Sequence, residues 1–215
     1  MNDQTPIVIN VKGSLELSSS ADGVLFDLAG NGSPQRIPWP VAPQNGWLVL
    51  DRNRNGRIDS GRELFGNRTL LANGTTAPHG FAALAELDRN GDGVVDRTDP
   101  DFEELAVWFD HWRNGIVDPG ELVPLASLGI VALEVAYKES RRTDRWGNVF
   151  RYRASVRFAD GSRRFAYDVF LTRGVSAPSV EGSSTSPPFR ALGLAVLVLL
   201  ASYSSLRRTG SRWQG

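Results

Sequence analysis

The stretch DRNGDGVVDRTD, residues 88–99, arranges oxygen-bearing side chains around a glycine at its sixth position. A hard cation such as Ca²⁺ binds roughly six to eight oxygen atoms, which a twelve-residue loop supplies from positions 1, 3, 5, 7, 9 and 12. This stretch, named loop L2, matches that spacing and ends on an aspartate at position 12. Its predicted ligands are Asp88, Asn90, Asp92, Val94 through its carbonyl, Asp96 and Asp99.

Two further stretches fit the same template. Loop L1, DRNRNGRIDSGRE at residues 51–63, ends on a glutamate that falls one position late. Loop L3, DHWRNGIVDPGE at residues 110–121, has Trp112 at position 3, where an indole cannot ligate a cation. The predicted ligands in L1 are Asp51, Asn53, Asn55, Arg57 through its carbonyl, Asp59 and Glu63. Those in L3 are Asp110, Asn114, Ile116 through its carbonyl, Asp118 and Glu121.

The alternative for any single loop is an ordinary surface turn, because Asp, Asn and Gly are also common turn residues. A glycine at position 6 and an apolar residue at position 8 recur in all three loops. This repetition favours metal sites over three unrelated turns, although for L3 alone the two interpretations stay equally open. A fourth fragment, residues 27–32, is interpreted as a turn.

The pattern of apolar residues predicts both strands and helices. Runs bounded by turn residues predict strands at 7–9, 23–26, 47–50, 130–137, 150–158 and 164–171. Helical spacing predicts short helices over 80–87, 101–109 and 121–128. Because L2 and L3 share the middle helix, they suit an EF-hand-like pair over about 80–128. The expected fold class is α+β, with β-strands flanking this helix–loop–helix pair and a C-terminal apolar helix beyond them.

The predicted calcium-binding α+β domain covers residues 1–173, and a different composition follows it. Residues 174–188 are rich in Ser, Pro and Gly, which predicts a flexible linker. Residues 189–206 are predicted to form a membrane-anchor helix, with a buried terminal helix as the alternative, and 207–215 form a basic tail. The arginines that open the tail favour a cytoplasmic C-terminus, hence a cell-surface or extracellular domain. The N-terminus shows no signal-peptide pattern.

Composition excludes several classes of site. The chain has no cysteine and two histidines, so disulfides and thiolate sites are excluded and a zinc site is poorly supplied. Lys and Arg together equal Asp and Glu at 24 each, which predicts no nucleic-acid partner. Charge is nevertheless uneven, because residues 138–173 carry 10 basic and 4 acidic side chains. The alternating arginines there either bind a polyanion or form the solvated face of a hairpin, which is the favoured interpretation. They are Arg151, Arg153, Arg157, Arg163 and Arg164.

Several segments together resemble large bacterial secreted calcium-binding proteins of the hemolysin type. These segments are 50–66, 87–93, 107–110, 128–130 and 144–148. The resemblance covers roughly residues 5–171 and implies an EF-hand-type or dockerin-like calcium module embedded in β structure, with no catalytic residue. The sequence departs from the family pattern at Ala29 and Trp112, where Asp or Asn is usual. These departures put the sites at 27–32 and 110–121 in doubt.

The expected function is Ca²⁺ binding by a non-catalytic, surface-anchored module that the metal stabilises. An accessory domain of a secreted hydrolase or adhesin, with calcium in a structural role, is the alternative. A hydrolase would have to use Asp59, Glu63, Asp144 or Asp168, and no pair among them has a defined spacing. A calcium sensor is disfavoured, because sensor grooves are Met-rich and the chain has one methionine. The protein or polysaccharide partner stays open.

Overall fold

Regular structure in this protein is almost entirely β. The computed structural model describes residues 4–172. The strands are β1 (Ile7–Asn10), β2 (Val24–Phe26), β3 (Gln35–Ile37), β4 (Asn45–Leu50), β5 (Val94–Asp96), β6 (Leu105–Trp108), β7 (Leu122–Pro124), β8 (Ile130–Glu134), β9 (Lys138–Thr143), β10 (Val149–Phe158) and β11 (Arg163–Phe170). One α-helix, α1 (Gly80–Ala85), and two 3₁₀ turns, Phe102–Glu104 and Leu125–Leu128, complete the described elements.

Nine strands form one antiparallel sheet in the order β5-β8-β10-β11-β1-β4-β6-β7, with β9 paired to β10. The N-terminal strand β1 lies in the middle of this sheet, between β4 and β11. Strands β2 and β3 form a separate hairpin. The first and the last described strands are therefore hydrogen-bonded neighbours.

The central strands are buried on both faces, and their side chains divide between two cores. Successive residues in a strand point to opposite faces. In β4, Leu48 and Leu50 join the core that includes Phe81 of α1, whereas Trp47 and Val49 join the core on the other face. We call these the helix-side core and the tryptophan-side core. The second is covered by the β2–β3 hairpin, where Phe26 packs edge-on against tryptophan rings.

The predicted α+β fold class with an EF-hand-like helix–loop–helix pair is wrong. A helix occurs at Gly80–Ala85, but residues 101–109 form a 3₁₀ turn followed by strand β6, and residues 121–128 form strand β7 and a second 3₁₀ turn. Phe102, Leu105 and Trp108 fit a helical spacing, yet Leu105 and Trp108 contribute to opposite cores, as a strand requires. Pairing of β6 with β4 supplies backbone hydrogen bonds that a short isolated helix could not match.

The predicted C-terminal segments lie beyond the described chain. The linker at 174–188, the anchor helix at 189–206 and the tail at 207–215 are all outside residues 4–172. Within residues 4–172, no helix is long and apolar enough to cross a membrane. The prediction of an apolar C-terminal helix in a membrane-anchored, cell-surface protein is corrected to this extent: no described helix supports a membrane anchor, and the predicted anchor itself lies outside the described residues.

Candidate functional site

L1 folds around the carboxylate of Asp51. The Oδ1 atom accepts the backbone N–H of Asn55 at 3.2 Å, and Oδ2 accepts that of Gly56 at 2.7 Å. The side-chain amides of Asn53 and Asn55 both donate to Oδ2 of Asp59, at 3.4 and 2.6 Å. The structure thus brings together the side chains that the sequence placed at positions 3, 5 and 9 of L1. L1 leaves β4 and ends where Leu64 bridges back to the same strand.

L2 repeats the arrangement between α1 and β5. The carboxylate of Asp88 accepts the backbone N–H groups of residues 91–93 at 2.8 to 3.1 Å. The amide of Asn90 donates to Oδ2 of Asp92 at 3.1 Å. These three predicted ligands are therefore grouped around the turn.

Asp96, the fourth side chain predicted in L2, is held elsewhere. Its Oδ1 accepts the backbone N–H and the hydroxyl of Thr98, at 2.8 and 2.7 Å. These hydrogen bonds to the ionised form lower the pKa of Asp96. Asp96 therefore stabilises the turn that contains Thr98 and makes no hydrogen bond to Asp88, Asn90 or Asp92.

L3 joins β6 to β7 and uses the same frame. The carboxylate of Asp110 accepts the backbone N–H groups of Asn114 and Gly115, at 3.1 and 2.8 Å. The Asn114 amide donates to Asp118 at 2.8 Å. Burial raises the pKa of Asp110 above its ordinary value. Trp112, the non-ligating residue at position 3, is 76% exposed and so leaves the centre of the loop.

The position-7 residues predicted to offer carbonyl oxygens share one feature. Each donates its backbone N–H to the side-chain oxygen of the residue at position 5. The donors are Arg57 at 2.8 Å, Val94 at 3.0 Å and Ile116 at 2.8 Å. Three loops that differ in sequence at other positions therefore adopt one hydrogen-bonding pattern, which short-range turn geometry explains.

Each loop ends on a carboxylate that the fold buries. Glu63, Asp99 and Glu121 are all under 5% exposed. They accept the backbone N–H at position 9 of their own loop, at 2.6, 3.0 and 3.0 Å respectively. The second oxygen of Asp99 accepts the N–H of Arg89, and that of Glu121 accepts the N–H of His111. Among these three carboxylates, Glu63 differs, because its Oε1 has no hydrogen-bond partner among the described residues.

Residues 27–32, interpreted from the sequence as a turn, do form a turn. Its Asp27 carboxylate accepts the backbone N–H groups of Asn31 and Gly32, at 3.1 and 2.7 Å, as the first aspartate does in L1 and L3. The turn packs on L1, where Gly61 donates its N–H to the Asp27 carbonyl at 2.9 Å. A Cβ at Gly61 would lie 1.9 Å from a backbone oxygen of the turn. The available signal was the Asp-x-x-x-Asn-Gly spacing shared with L1.

A cavity of about 520 Å³ lies between the Asp27 turn and L1. We call it the L1 cavity, and its polar lining comprises Arg52, Asn53, Asp59, Ser60, Arg62, Glu63, Arg68 and Thr76. Burial raises the pKa of Glu63, and the negative charges of Asp59 and Asp51 raise it further. Burial also lowers the pKa of Arg52. The cavity thus gathers charges of both signs around a glutamate oxygen that the protein leaves unpaired.

The loops do not assemble into a conventional metal centre. Over residues 4–172, no group of three or more His, Asp or Glu side chains is placed to hold a metal ion. L2 follows α1 but is followed by a 3₁₀ turn and a strand, and L3 joins two strands, so the described residues contain no paired helix–loop–helix unit there. The predicted function, Ca²⁺ binding by EF-hand-like loops of a surface-anchored module, is therefore wrong in that form.

A second buried carboxyl group lies at the junction of α1 with the sheet. Asp168 in β11 is fully buried, and its Oδ2 accepts the N–H of Gly80 at 2.7 Å. Its Oδ1 has no hydrogen-bond partner among the described residues. Burial raises the pKa of Asp168 to about 7. The adjacent His79 caps α1 through Nδ1 and contacts the hydroxyl of Tyr137 at 3.1 Å through Nε2.

Comparison with known proteins gives one family. The model of the SPM domain family matches residues 7–172, which include every described strand. The chain is also similar to the iron-regulated protein FrpA of Neisseria meningitidis serogroup C, with 42% identity over 149 residues. That alignment covers 69% of this chain but 13% of the relative. The match to an SPM domain corrects the assignment to EF-hand-type or dockerin-like proteins, and the chain belongs to the SPM domain family.

Proposed function

We propose that this chain is a non-catalytic module of the kind that forms one part of a longer protein, with a hard divalent cation as a stabilising ligand in the L1 cavity. The carrying observation is the buried Oε1 of Glu63, which has no hydrogen-bond partner among the described residues although Glu63 lines a cavity together with Asp59 and Asn53. This proposal concerns one ion between two turns of a β-sheet protein. The proposed site is not part of an EF-hand pair.

The non-catalytic part of the proposal rests on the structural roles of the acidic groups. Asp144 accepts the backbone N–H groups of Trp146 and Asn148, and so forms the turn between β9 and β10. Asp168 anchors the N–H of Gly80. Neither hydrogen-bonds to Asp59 or Glu63 of L1. The four acidic residues that a hydrolase would need are thus engaged in three different places.

The chemistry of the L1 cavity fits a hard cation better than a neutral ligand. An unpaired carboxylate oxygen in a buried position is costly, since it has lost water without gaining a partner. A cation bonded to Glu63 and Asp59 would remove that cost and would relieve their mutual repulsion. Amide and carboxylate oxygens are the ligands that Ca²⁺ takes in proteins, so Ca²⁺ is the proposed ion.

The three arginines that line the same cavity, Arg52, Arg62 and Arg68, limit the strength of binding. Arg52 donates Nε to the carbonyl of Arg62 at 3.0 Å and lies over the ring of Phe65, at 5.2 Å from its centroid. Arg62 and Arg68 add two further positive charges to the cavity wall. Because an incoming cation meets this repulsion, we expect a dissociation constant on the order of 10⁻⁴–10⁻³ M, as in weak calcium modules.

The test is a calorimetric titration of Ca²⁺ into the full chain, with Mg²⁺ as competitor and the thermal midpoint recorded in parallel. We expect binding that raises the midpoint, and a loss of affinity of at least tenfold in Glu63→Gln. Glu139→Gln is the matched control, because Glu139 is an exposed glutamate of β9 outside the cavity. Equal Ca²⁺ affinity in Glu63→Gln and wild type, or no binding at millimolar Ca²⁺, would refute the cation site.

A further inference from the structure

A basic groove runs along residues 14–17, β9 and the start of β11, and it shares no lining residue with the L1 cavity. One part is a cavity of about 350 Å³ between residues 14–17 and the β9–β10 turn. A neighbouring cavity of about 200 Å³ lies at the β10–β11 hairpin. Arg142 lines both cavities and so connects them. We call the combined feature the arginine groove and define it by Arg142, Arg145, Trp146, Arg163, Arg164 and Phe165.

Arg142 lies at the centre of the groove and contacts three residues there. Its guanidinium donates one hydrogen bond to the carbonyl of Leu15 at 2.8 Å. It also lies over the rings of Phe150 and Tyr167, at 4.9 and 5.7 Å from their centroids. A guanidinium carries five N–H donors in a planar fork, so most of its donors are left for a ligand. A preorganised arginine loses little entropy when it binds a carboxylate, sulfate or phosphate group.

The groove carries more positive than negative charge, although one of its arginines, Arg163, pairs with Glu134 at 3.2 Å. Its cavities are lined by four arginines and by two acidic residues, Glu16 and Asp144. The Asp144 carboxylate is occupied by three N–H donors of its own turn, and Glu16 accepts the hydroxyl of Ser14. No described acidic side chain forms an ion pair with the guanidinium groups at positions 142, 145 and 164. The groove therefore attracts an anionic ligand.

Two aromatic rings are exposed along the same groove. Trp146 is 41% exposed and Phe165 is 43% exposed, although large apolar side chains are usually buried. The guanidinium of Arg145 lies 4.8 Å from the Trp146 ring, and that of Arg153 lies 4.7 Å from the Phe165 ring. The negative face of an aromatic ring attracts the polarised C–H groups of a sugar ring, which then stacks flat on it.

We propose that the arginine groove binds an acidic oligosaccharide, one that bears carboxylate, sulfate or phosphate ester groups. The arginines would pair with the anionic groups, and Trp146 and Phe165 would support the sugar rings. A nucleic acid is less suitable, because phosphate-backbone binding depends on many basic contacts along the ligand. This chain is neutral overall, and the groove itself supplies only four arginines. The proposal is independent of the cation site in L1.

The experiment measures binding of defined oligosaccharides to the full chain by calorimetry at low and moderate salt. The probes are a sulfated heparin hexasaccharide, an oligogalacturonate of equal length, neutral maltohexaose and a single-stranded oligonucleotide of matched charge. We expect at least one acidic sugar to bind more than tenfold tighter than maltohexaose and the oligonucleotide. Binding should weaken as salt rises, because surface charges are screened.

Variants separate the groove from general positive charge. The double substitution Arg145→Ala and Arg164→Ala should weaken binding of the acidic sugar at least tenfold, and Trp146→Ala severalfold. Arg141→Ala is the matched control, since Arg141 is an exposed arginine of β9 that does not line the groove, and its affinity should stay within twofold. These side chains are on the surface, so folding is preserved. Oligonucleotide binding as tight as the sugar's, equal losses in Arg141→Ala, or no acidic-sugar binding would overturn the proposal.

Discussion

At the scale of single residues, the buried carboxyl groups of this fold differ in how many of their oxygen atoms accept hydrogen bonds. Glu121 and Asp99 have backbone donors on both oxygens, whereas Glu63 and Asp168 each keep one oxygen unpaired among the described residues. Glu121 and Asp99 stabilise the backbone of their loops, because buried acceptors that are hydrogen-bonded lower the stability of the fold only a little. The second pair carries a desolvation cost, which raises the pKa of both groups. Among these four carboxyl groups, burial without full hydrogen bonding thus occurs at the L1 cavity and at the α1–sheet junction.

The raised pKa of Asp168 predicts a pH-dependent stability. Its folded pKa of about 7 exceeds the ordinary value of 3.8, so the folded state binds this proton more tightly than the unfolded state. The stabilisation by the protonated form is complete below about pH 4 and is lost as the pH rises towards 7. In Asp168→Asn this pH-dependent contribution should vanish. As the pH rises from 4 to 8, the free energy of unfolding of the variant should therefore increase by on the order of 2–4 kcal/mol relative to that of wild type.

The measurement is urea unfolding of both proteins at several pH values across that window. Asp160→Asn is the control, because hydrogen bonds from Ser162 lower the pKa of Asp160 and remove it from the window. The difference between Asp168→Asn and wild type is the diagnostic quantity, since His79, whose pKa burial lowers, also affects the absolute curves. Parallel stability curves for Asp168→Asn and wild type would contradict the buried, proton-binding role.

At the scale of elements, the β2–β3 hairpin and the sheet are joined by aromatic rings. Trp39 lies just after β3 and is 1% exposed. Its ring contacts Phe26, Trp47 and Trp108 edge-on, with centroids 5.3 to 5.6 Å apart. Edge-to-face geometry is favourable for aromatic rings and adds to the gain from burial. The hairpin has little other regular pairing, so this cluster determines where it packs.

Removal of the central ring should therefore destabilise the fold strongly. Trp39→Ala deletes a fully packed indole and is expected to lower the free energy of unfolding by about 3–5 kcal/mol. Trp112→Ala is the matched control, because Trp112 is 76% exposed in L3 and its loss should change stability by less than about 0.5 kcal/mol. Chemical denaturation followed by far-UV circular dichroism checks both values. Similar losses in the two variants would show that the aromatic cluster is not a stabilising unit.

For the described part of the molecule as a whole, the decisive feature is the position of β1. Val8 is paired with Trp47 of β4 on one side and with Tyr167 of β11 on the other. The three residues of β1 from Ile7 to Ile9 are completely buried. The sheet is therefore continuous only when the N-terminal strand is inserted between two segments more than a hundred residues apart in sequence.

Deletion of residues 1–10 should abolish cooperative folding. The deletion would break both hydrogen-bond ladders of β1 and expose parts of the helix-side and tryptophan-side cores. The free-energy cost of these losses exceeds the stability of a typical domain. A chain that ends after residue 176 is the control, because it retains every described strand and should keep one thermal transition. Differential scanning calorimetry checks this. A deletion variant that melts within a few degrees of the control would mean that β1 is dispensable.

The elements that were predicted incorrectly share one physical cause. Residues 102–108 place apolar side chains at a spacing that fits both a helix and a strand buried on two faces, and periodicity alone cannot separate these for a short run. Leu105–Trp108 form a strand because every one of these residues pairs with a residue of β4. The same applies to Leu122–Pro124, which pairs with β6. Strand pairing with a distant partner overrode a local helical pattern.

The sequence alone determined the features that depend on neighbours along the chain. The turns of L1, L2 and L3 form because an aspartate at position 1 accepts N–H groups four and five residues later, which Gly at position 6 permits. Tertiary structure alone decided the long-range contacts. Asp168 is buried where it accepts the N–H of Gly80, and Arg142 donates to the carbonyl of Leu15. The L1 cavity around Glu63 likewise forms between segments that are distant in sequence. Local hydrogen bonds are fixed by spacing, whereas the candidate sites depend on which strands pair, and that is set by the packing of both cores at once.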